Sequence, residues 1–237
     1  AQAKQLTPDN LNANLGSHVV WTPDSKSLLI KSLPADRPKL IDTKTQIPTG
    51  PIISESDGEK AQNRTYQDLL KSPNDEINFE ILAYSDIKKV DLFGNIEDFV
   101  PKAMYTGISY SPNGRYVMIN QIKTPFSYLV PYQRFPNETH VYTAAGAHVA
   151  LMNSVPLTEV LPQGFMSTID GKRNMGWRAD KPATLYWVEA LDGGDPAKEV
   201  DFRDAVYEID APFKTEQRLL VKTINRVSGI QWGNNKY

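Results

Sequence analysis

The chain has 237 residues, of which 40% are hydrophobic and 23% charged, and its 26 lysines and arginines nearly balance 28 aspartates and glutamates. This composition is typical of a globular protein of one large or two small domains, and the formal net charge of -2 gives no broad basic field for nucleic acid. The absence of cysteine excludes disulfides, thiolate catalysis and cysteine-ligated zinc. No apolar run approaches the roughly 18 residues of a membrane helix, and no leader pattern is found. We therefore expect neither a membrane helix nor a signal peptide.

One pattern recurs along the chain: a β-rich segment ending in an aromatic residue, a tight polar turn, and a second β-rich segment. Its copies are residues 18–30 with Trp21, 105–119 with Tyr110, 176–188 with Trp177 and, incomplete, 227–237 with Trp232. Proline presets φ at the second turn position, and the flanking β-branched and aromatic residues favour strands. We interpret the copies as repeats whose aromatic residues fill the layer between packed sheets, rather than as unrelated hairpins with common turn chemistry.

An insertion over residues 34–84 follows the first copy and interrupts the structural unit that the copy begins, and two segments of this insertion look helical. The first covers residues 65–71 and the second residues 74–82, for which Asn74 is the expected N-cap. Strands over residues 87–94 and, at the edge, 96–99 complete this unit. The second and third units repeat the order with shorter insertions over residues 124–137 and 192–196.

These units predict an all-β fold, a partial β-propeller of about three four-stranded antiparallel blades plus the first strand of a fourth, with a helical insertion in the first blade. The one domain, 1–237, divides into blades over about 18–100, 104–152 and 164–222, and a fourth that starts over 227–237. An open arc exposes the faces of its end blades, which predicts either missing blades or self-association. We therefore expect a piece of a longer protein.

Four segments are specific enough to indicate a family: Arg64–Leu70 (RTYQDLL), Pro125–Pro136 (PFSYLVPYQRFP), Trp177–Asp180 (WRAD) and Val188–Pro196 (VEALDGGDP). In this order they resemble the propeller domain of the glutamyl endopeptidase branch of the prolyl oligopeptidase family of serine peptidases. The resemblance implies a separate C-terminal α/β-hydrolase domain with a Ser-Asp-His triad, which cleaves after glutamate. It also implies a bacterial or a chloroplast source, of which a bacterial periplasmic or secreted protein is favoured.

The catalytic half of such a peptidase is not found in this sequence. A nucleophile elbow needs Gly-x-Ser-x-Gly between a strand and a helix, whereas the nearest string, at residues 107–111 around Ser109, lacks the second glycine and lies in a predicted strand. We therefore expect no catalytic residue, no metal, no cofactor and no peptidase activity in this chain alone.

The aromatic loop over residues 125–136 is the best candidate for contact with a substrate. Its candidate residues are Tyr128, Tyr132 and Arg134, and Arg64 is a weaker candidate from the first insertion. A cation at this place would attract an acidic substrate side chain by a charge-assisted hydrogen bond. The alternatives are a packed surface loop or an interface with the missing hydrolase domain.

Two further motifs have ordinary structural interpretations. His18, His140 and His148 lack metal-ligand spacing, which favours structural or surface roles. The Gly-Gly pair flanked by Asp192 and Asp195 fits turn chemistry better than a calcium loop, since the alternating oxygen ligands are missing.

The resulting hypothesis is a non-catalytic propeller segment that gates peptide access to a hydrolase domain of the same polypeptide and helps to bind acidic peptide substrates. The alternative is a stand-alone propeller-type module that binds proteins or peptides. In both cases we expect neither nucleic acid nor a membrane as partner.

Overall fold

The computed structural model describes residues 3–42, 45 and 66–233. In that part the chain forms eleven β-strands, one α-helix and one 3-10 turn. In chain order they are β1 (Val19–Trp21), β2 (Ser27–Ser32), α1 (Pro73–Ala83), β3 (Ser85–Asp91), β4 (Ile96–Tyr110), β5 (Tyr116–Ile122), the 3-10 turn (Tyr132–Arg134), β6 (Asn137–Thr143), β7 (His148–Val155), β8 (Lys172–Trp177), β9 (Thr184–Ala190), β10 (Asp204–Asp210) and β11 (Arg218–Thr223).

Consecutive strands pair antiparallel, in the orders β1-β2-β3-β4-β5-β6-β7 and β11-β10-β9-β8. The 15-residue strand β4 belongs to two blades, because its residues up to Ala103 pair with β3 and its residues from Met104 onward pair with β5. The pairing therefore gives three four-stranded blades, β1 to β4, β4 to β7 and β8 to β11. The predicted all-β partial propeller with a helical insertion in its first blade is confirmed.

Neighbouring blades pack face to face through the alternating side chains of their strands. In β5, Val117 and Ile119 belong to a buried cluster with Leu29 of the first blade. Met118, which lies between them, belongs to a second cluster with Trp187 of the third blade. Since successive side chains of a strand point to opposite faces, the middle blade presents one apolar face to each neighbour. Burial of each such side chain stabilises the folded chain by about 1.5–3 kcal/mol relative to exposure to water.

The N-cap of helix α1 lies two residues earlier in the chain than predicted. Ser72 is its N-cap and accepts a hydrogen bond from the Asp75 N–H at 3.3 Å, while Pro73 occupies the first helical position. Asn74, the predicted cap, is instead buried in the first turn. Among the described residues no helix has the length and apolarity to cross a membrane.

The other predicted helix, over residues 65–71, is not formed where the structure describes it. Residues 66–71 carry no helical turn, and Asp68 has φ +57°, in the left-handed region that a right-handed helix excludes. Thr65 lies outside the described residues. The left-handed backbone at Asp68 is the physical reason that no continuous helix runs through this segment.

The predicted first strand of a fourth blade, residues 227–232, is likewise not formed. No described residue pairs with this segment in a ladder, and a strand exists only with such a partner. The segment is held by side chains instead: the Trp232 ring lies 4.0 Å from the Arg178 guanidinium and 5.0 Å from the Tyr186 ring. It therefore covers one side of the third blade without extending a sheet.

We expect the Gly16→Ala substitution to destabilise the chain by about 2 kcal/mol or more. Gly16 has φ +56°, and a Cβ atom there would lie 2.1 Å from the Thr106 carbonyl oxygen of β4. Gly171→Ala is the matched control, since Gly171 also has a positive φ, +97°, but nothing lies within 4 Å of its Cβ position. Urea denaturation of both variants separates the steric clash from backbone strain, and equal losses would contradict the prediction.

Candidate functional site

The insertions and the tight turns lie at opposite ends of the blades. Because successive strands are antiparallel, the connection after a blade's second strand and the connection to the next blade fall at the same end. We call this end the insertion face; it comprises residues 33–42, 66–84, 123–136, 156–171 and 191–203. Its segments touch one another: the Thr158 N–H donates to the Arg134 carbonyl at 3.0 Å, and the Thr168 N–H to the Gly194 carbonyl at 3.1 Å.

The aromatic loop between β5 and β6 packs its apolar side chains against helix α1. The Phe79 ring of the helix lies 5.0 Å from the Phe126 ring and 5.7 Å from the Phe135 ring, both in edge-to-face geometry. Phe135 and Val130 are buried. Edge-to-face pairs of this kind favour a fixed geometry. The loop is thus anchored, as the packed-loop alternative predicts, and only part of it faces solvent.

Tyr132 and Arg134 share the 3-10 turn of this loop and line one cavity. The Tyr132 ring lies 6.2 Å from the Phe79 ring, and the Arg134 guanidinium lies 5.7 Å from the centre of the Tyr66 ring. No described carboxylate forms an ion pair with Arg134. Arg64, the fourth candidate, lies outside the described residues.

Tyr128 is placed differently from the other two loop candidates. It does not line the cavity; burial and then a hydrogen bond with Glu76 of helix α1 raise the pKa of Tyr128 to about 12. Its hydroxyl is therefore protonated near neutral pH. The structure thus brings together two of the three described candidates and assigns the third to the contact between loop and helix.

The cavity lies between the second and third blades at the insertion face and has a volume of about 470 Å³. The first strand of each of these two blades contributes to it, through Thr106 of β4 and residues 172–175 of β8. Strand β8 is irregular here, because Asn174 has φ +54° and the register with β9 shifts between Arg173 and Gly176. Such local strain is concentrated at functional sites.

Two cations of β8 line the cavity beside Arg134. The Lys172 ammonium lies 4.4 Å from the centre of the Trp187 ring and donates to the Met152 carbonyl at 3.3 Å. Arg173 forms a charge-assisted hydrogen bond with Asp204, which is fully buried. Its other terminal nitrogen, Nη1, is buried without a hydrogen-bond partner among the described residues. The site is therefore rich in donors and positive charge.

A buried ion-pair network lies behind Arg173. Arg226 donates to both carboxylate oxygens of Asp192 at 2.7 Å and to Asp204 at 3.0 Å, and Arg203 adds a bond to Asp192 at 2.8 Å. Burial alone would raise the pKa of Asp192, but these bonds and one from the Gly194 N–H outweigh it and leave that pKa lowered. Two arginines occupy the carboxylate of Asp192, so it is not available to calcium. The geometry of the Gly-Gly segment therefore agrees with a turn.

Several predicted structural residues lie outside this site. Ser109 lies in β4 and pairs with Met118 of β5, so the strand expected there is present. His140 and His148 face each other across β6 and β7, with their nearest ring nitrogens 3.0 Å apart, a contact that the sequence did not indicate. A hydrogen bond to His140 is the largest cause that lowers the pKa of Glu138.

Sequence reasoning missed Lys172 and Arg173 as site residues. They follow Gly171 at the start of a strand that carries no recognisable motif, and the rest of the cavity comes from distant parts of the chain. The only signal in the sequence was that the two cations are adjacent. Adjacent cations on an exposed strand usually face solvent and have no binding role.

Three stacked four-stranded antiparallel blades define a propeller-type protein. No family model matches the chain. Among curated proteins it is 39% identical over 225 residues to "Probable glutamyl endopeptidase, chloroplastic" of Oryza sativa subsp. japonica, which covers 94% of this chain and 24% of the relative. It is 37% identical over 228 residues to the protein of the same name from Arabidopsis thaliana, with 94% and 23% covered.

These relatives confirm the resemblance to glutamyl endopeptidases that the four motifs indicated, and the chain spans about a quarter of their length. Two solved structures are also similar. One is described as a TolB of Agrobacterium tumefaciens, with 13% identity, a TM-score of 0.35 and coverage of 89% of this chain and 50% of that one. The other is an uncharacterized Listeria monocytogenes protein, with 8% identity, a TM-score of 0.40 and coverage of 94% and 57%.

Proposed function

We propose that this chain is a propeller segment of a serine endopeptidase similar to the glutamyl endopeptidases, within the prolyl oligopeptidase family. The similarity over 94% of the chain to relatives of that name is the observation that carries the proposal. In such a protein the chemistry would belong to an α/β-hydrolase domain of the same polypeptide, by serine attack with a histidine base. The propeller segment would control the access and orientation of the substrate before the hydrolase domain cleaves it.

Its proposed role is to control peptide access and to orient acidic substrates at the insertion face. The supporting observation is that the insertions lie at one end of the blades, whereas the other end carries tight polar turns such as residues 111–115. The anchored loop places Arg134 at this face without a described carboxylate partner. A substrate carboxylate would supply the missing ion-pair partner.

In the longer protein, we expect Arg134→Gln to raise the KM for peptides with glutamate at the cleavage site about fivefold, with kcat nearly unchanged. The reason is that a partly solvated charge-assisted bond contributes about 1 kcal/mol to substrate binding and does not touch the reacting atoms. Steady-state kinetics on matched glutamate and glutamine peptides measures the effect. The isolated chain should hydrolyse neither peptide.

Arg115→Gln is the control, because it removes the same charge from an exposed turn at the opposite end of the second blade. An equal KM change in both variants would indicate a general charge effect and contradict the proposal. Hydrolysis of glutamate peptides by the isolated chain would contradict the placement of the chemistry elsewhere.

For the compartment, we propose a chloroplast. Both curated relatives carry the word chloroplastic in their names. The bacterial periplasmic or secreted location that the sequence favoured has no support in these comparisons. The chloroplast, which was the other expected location, therefore replaces it in our proposal. Fractionation of the source cells with an antibody to this chain tests the proposal.

A further inference from the structure

We propose that His140 and His148 together bind one divalent transition-metal ion, of the class of copper(II) and nickel(II), and that Glu138 positions the His140 ring for it. The ion would link β6 and β7, the last two strands of the middle blade. The proposal does not rest on the proposed function, because the site needs neither a substrate nor a hydrolase domain.

The register of the two strands brings the histidines to one face of the sheet. His140 and Tyr142 lie two positions apart in β6, so their side chains share a face. Counted from the partner of His140, a regular ladder would place Val149 opposite Tyr142. The register shifts there, and His148 lies opposite Tyr142 instead. Such a bulge re-aims a side chain, and it turns His148 toward the face of His140. The pair is thus created by register, which is why spacing in the sequence did not indicate a metal.

The separation of the two rings suits a particular class of ion. The Nδ1 atom of His140 lies 3.0 Å from the Nε2 atom of His148. Two nitrogens that bind one ion at a right angle, each about 2.1 Å from it, are about 3.0 Å apart, whereas the tetrahedral angle of zinc separates them by about 3.4 Å. Right angles are the geometry that copper(II) and nickel(II) favour. The two nitrogens are therefore already at the separation that such an ion requires.

Glu138 leaves the correct nitrogen of His140 available to the ion. Its Oε2 atom lies 3.0 Å from the His140 Nε2 atom, and the Gln121 amide lies 2.9 Å from that nitrogen and donates to the same Oε2 atom at 3.0 Å. The hydrogen bond with His140 is the largest cause that lowers the pKa of Glu138, and Lys123, 3.7 Å away, lowers it further. An ionised carboxylate only accepts, so we assign the proton to Nε2 and a lone pair to Nδ1. A carboxylate on the far nitrogen is the usual support of a metal-binding histidine.

His148 supplies the second nitrogen, and its ring is held by Tyr142. The Tyr142 ring lies 5.2 Å from the His148 ring in edge-to-face geometry. Without a metal, the Nε2 proton of His148 bonds to the lone pair of His140 Nδ1. When the ion takes its place, that proton moves through solvent to Nδ1 of the same ring, since His148 is exposed. Both rings then bind as neutral imidazoles, the form that ligates metals, and no net proton is released.

Two protein ligands limit which ions bind. The described residues contain no group of three metal-ligating side chains, so water would complete the coordination. Magnesium and calcium are excluded, because they bind oxygen ligands. Strand β7 ends the order of its sheet in the described part of the chain, and an edge strand has a row of unpaired backbone groups. An ion between β6 and β7 would therefore fasten the less supported side of the middle blade.

The test is a calorimetric titration of the purified, untagged chain with Cu²⁺ and Ni²⁺ in a non-coordinating buffer, with electron paramagnetic resonance of the copper-loaded chain. We expect one saturable site, tighter for Cu²⁺ than for Ni²⁺, and a spectrum with coupling to two imidazole nitrogens. His140→Ala and His148→Ala should each weaken binding by more than Glu138→Gln, which should weaken it about tenfold as the loss of a supporting carboxylate. His18→Ala is the matched control, since it removes a histidine outside the pair and should bind like the unmodified chain.

Urea denaturation separates a metal effect from a folding defect. Cu²⁺ should raise the midpoint of the unmodified chain and of His18→Ala, but not of His148→Ala, whose replaced side chain is exposed and should leave the metal-free stability unchanged. Absence of saturable binding to the unmodified chain, unchanged affinity in either variant of the pair, or an equal loss in His18→Ala would overturn the site. Unchanged Cu²⁺ affinity in Glu138→Gln, with or without a loss of stability, would overturn the positioning role of Glu138.

Discussion

The Arg226→Ala substitution is expected to reduce the free energy of unfolding by about 3–5 kcal/mol, the usual effect of removing one partner from a buried ion pair. Arg226 neutralises two carboxylates, those of Asp192 and Asp204, neither of which is measurably exposed to solvent. Without the guanidinium, Asp192 keeps Arg203 and Asp204 keeps Arg173. Each carboxylate nevertheless loses a charge-assisted bond in a place that water does not reach.

Arg226 also joins two segments of the insertion face that are distant in sequence, residues 156–171 and residues 191–203. It donates to the Met166 carbonyl at 3.1 Å and the Arg203 carbonyl at 3.0 Å, in addition to its two carboxylates. The substitution therefore loosens the connection between blades, residues 156–171, as well as the loop that carries Asp192. The loss should exceed that of any single surface ion pair, which contributes at most about 1 kcal/mol.

Urea denaturation at neutral pH measures this loss, with Arg115→Ala as the matched control. Arg115 is exposed on a turn and has no described ion pair, so its replacement should change stability by less than about 0.5 kcal/mol. Similar stabilities for the two variants would show that the buried network is energetically neutral. Because the pKa of Asp192 is lowered in the folded chain, its stabilising contribution is present above its usual pKa and is lost as the pH falls below it.

Local chemistry was sufficient to predict the blades. Turn residues and β-branched runs mark strands wherever the relevant contacts are short in sequence, and the hairpin of β4 and β5 around the turn at residues 111–115 is an example. The role of the aromatic anchors was predicted less well. Trp177 packs with the buried cluster between the second and third blades, but Trp21 is 56% exposed, because whether an anchor is covered depends on the neighbouring blade.

The candidate site was predicted less completely than the blades, because more of it depends on contacts that are distant in sequence. Arg134 and Tyr132 were found because they lie in one conspicuous motif. Arg173 was not found, since its significance comes from Asp204, 31 positions away, and from the cavity that the folded blades create. The error at α1 has a local cause: Ser72 before Pro73 is itself a strong capping signal, and Asn74 competed with it.

The second large effect is expected at Lys31, a buried lysine in β2. Only 1% of this residue is exposed, and its ammonium donates to the carbonyls of Leu15 and Tyr105 without a carboxylate partner in the described residues. Burial lowers the pKa of Lys31 from 10.5 to about 8. At neutral pH the folded chain therefore holds a charge that would be better solvated in the unfolded chain.

This arrangement predicts a stability that rises with pH. Between about pH 8 and about pH 10.5 the unfolded chain keeps the proton of Lys31 while the folded chain has lost it, so unfolding takes up a proton and is opposed by alkali. The difference of 2.5 between 10.5 and about 8 corresponds to about 3 kcal/mol in total. About 2 kcal/mol of this should appear between about pH 7 and about pH 9.5.

Denaturation at a series of pH values on the unmodified chain, Lys31→Met and Lys26→Met tests the prediction. Lys26 is exposed in the first turn, so its replacement should leave the rise intact, whereas Lys31→Met should abolish it. Burial raises the pKa of Tyr110 to about 12, and its titration lowers stability at higher pH, but all three proteins share this effect and the differences cancel it. A rise that persists in Lys31→Met would mean that another titratable group causes it, and would contradict the assignment to Lys31.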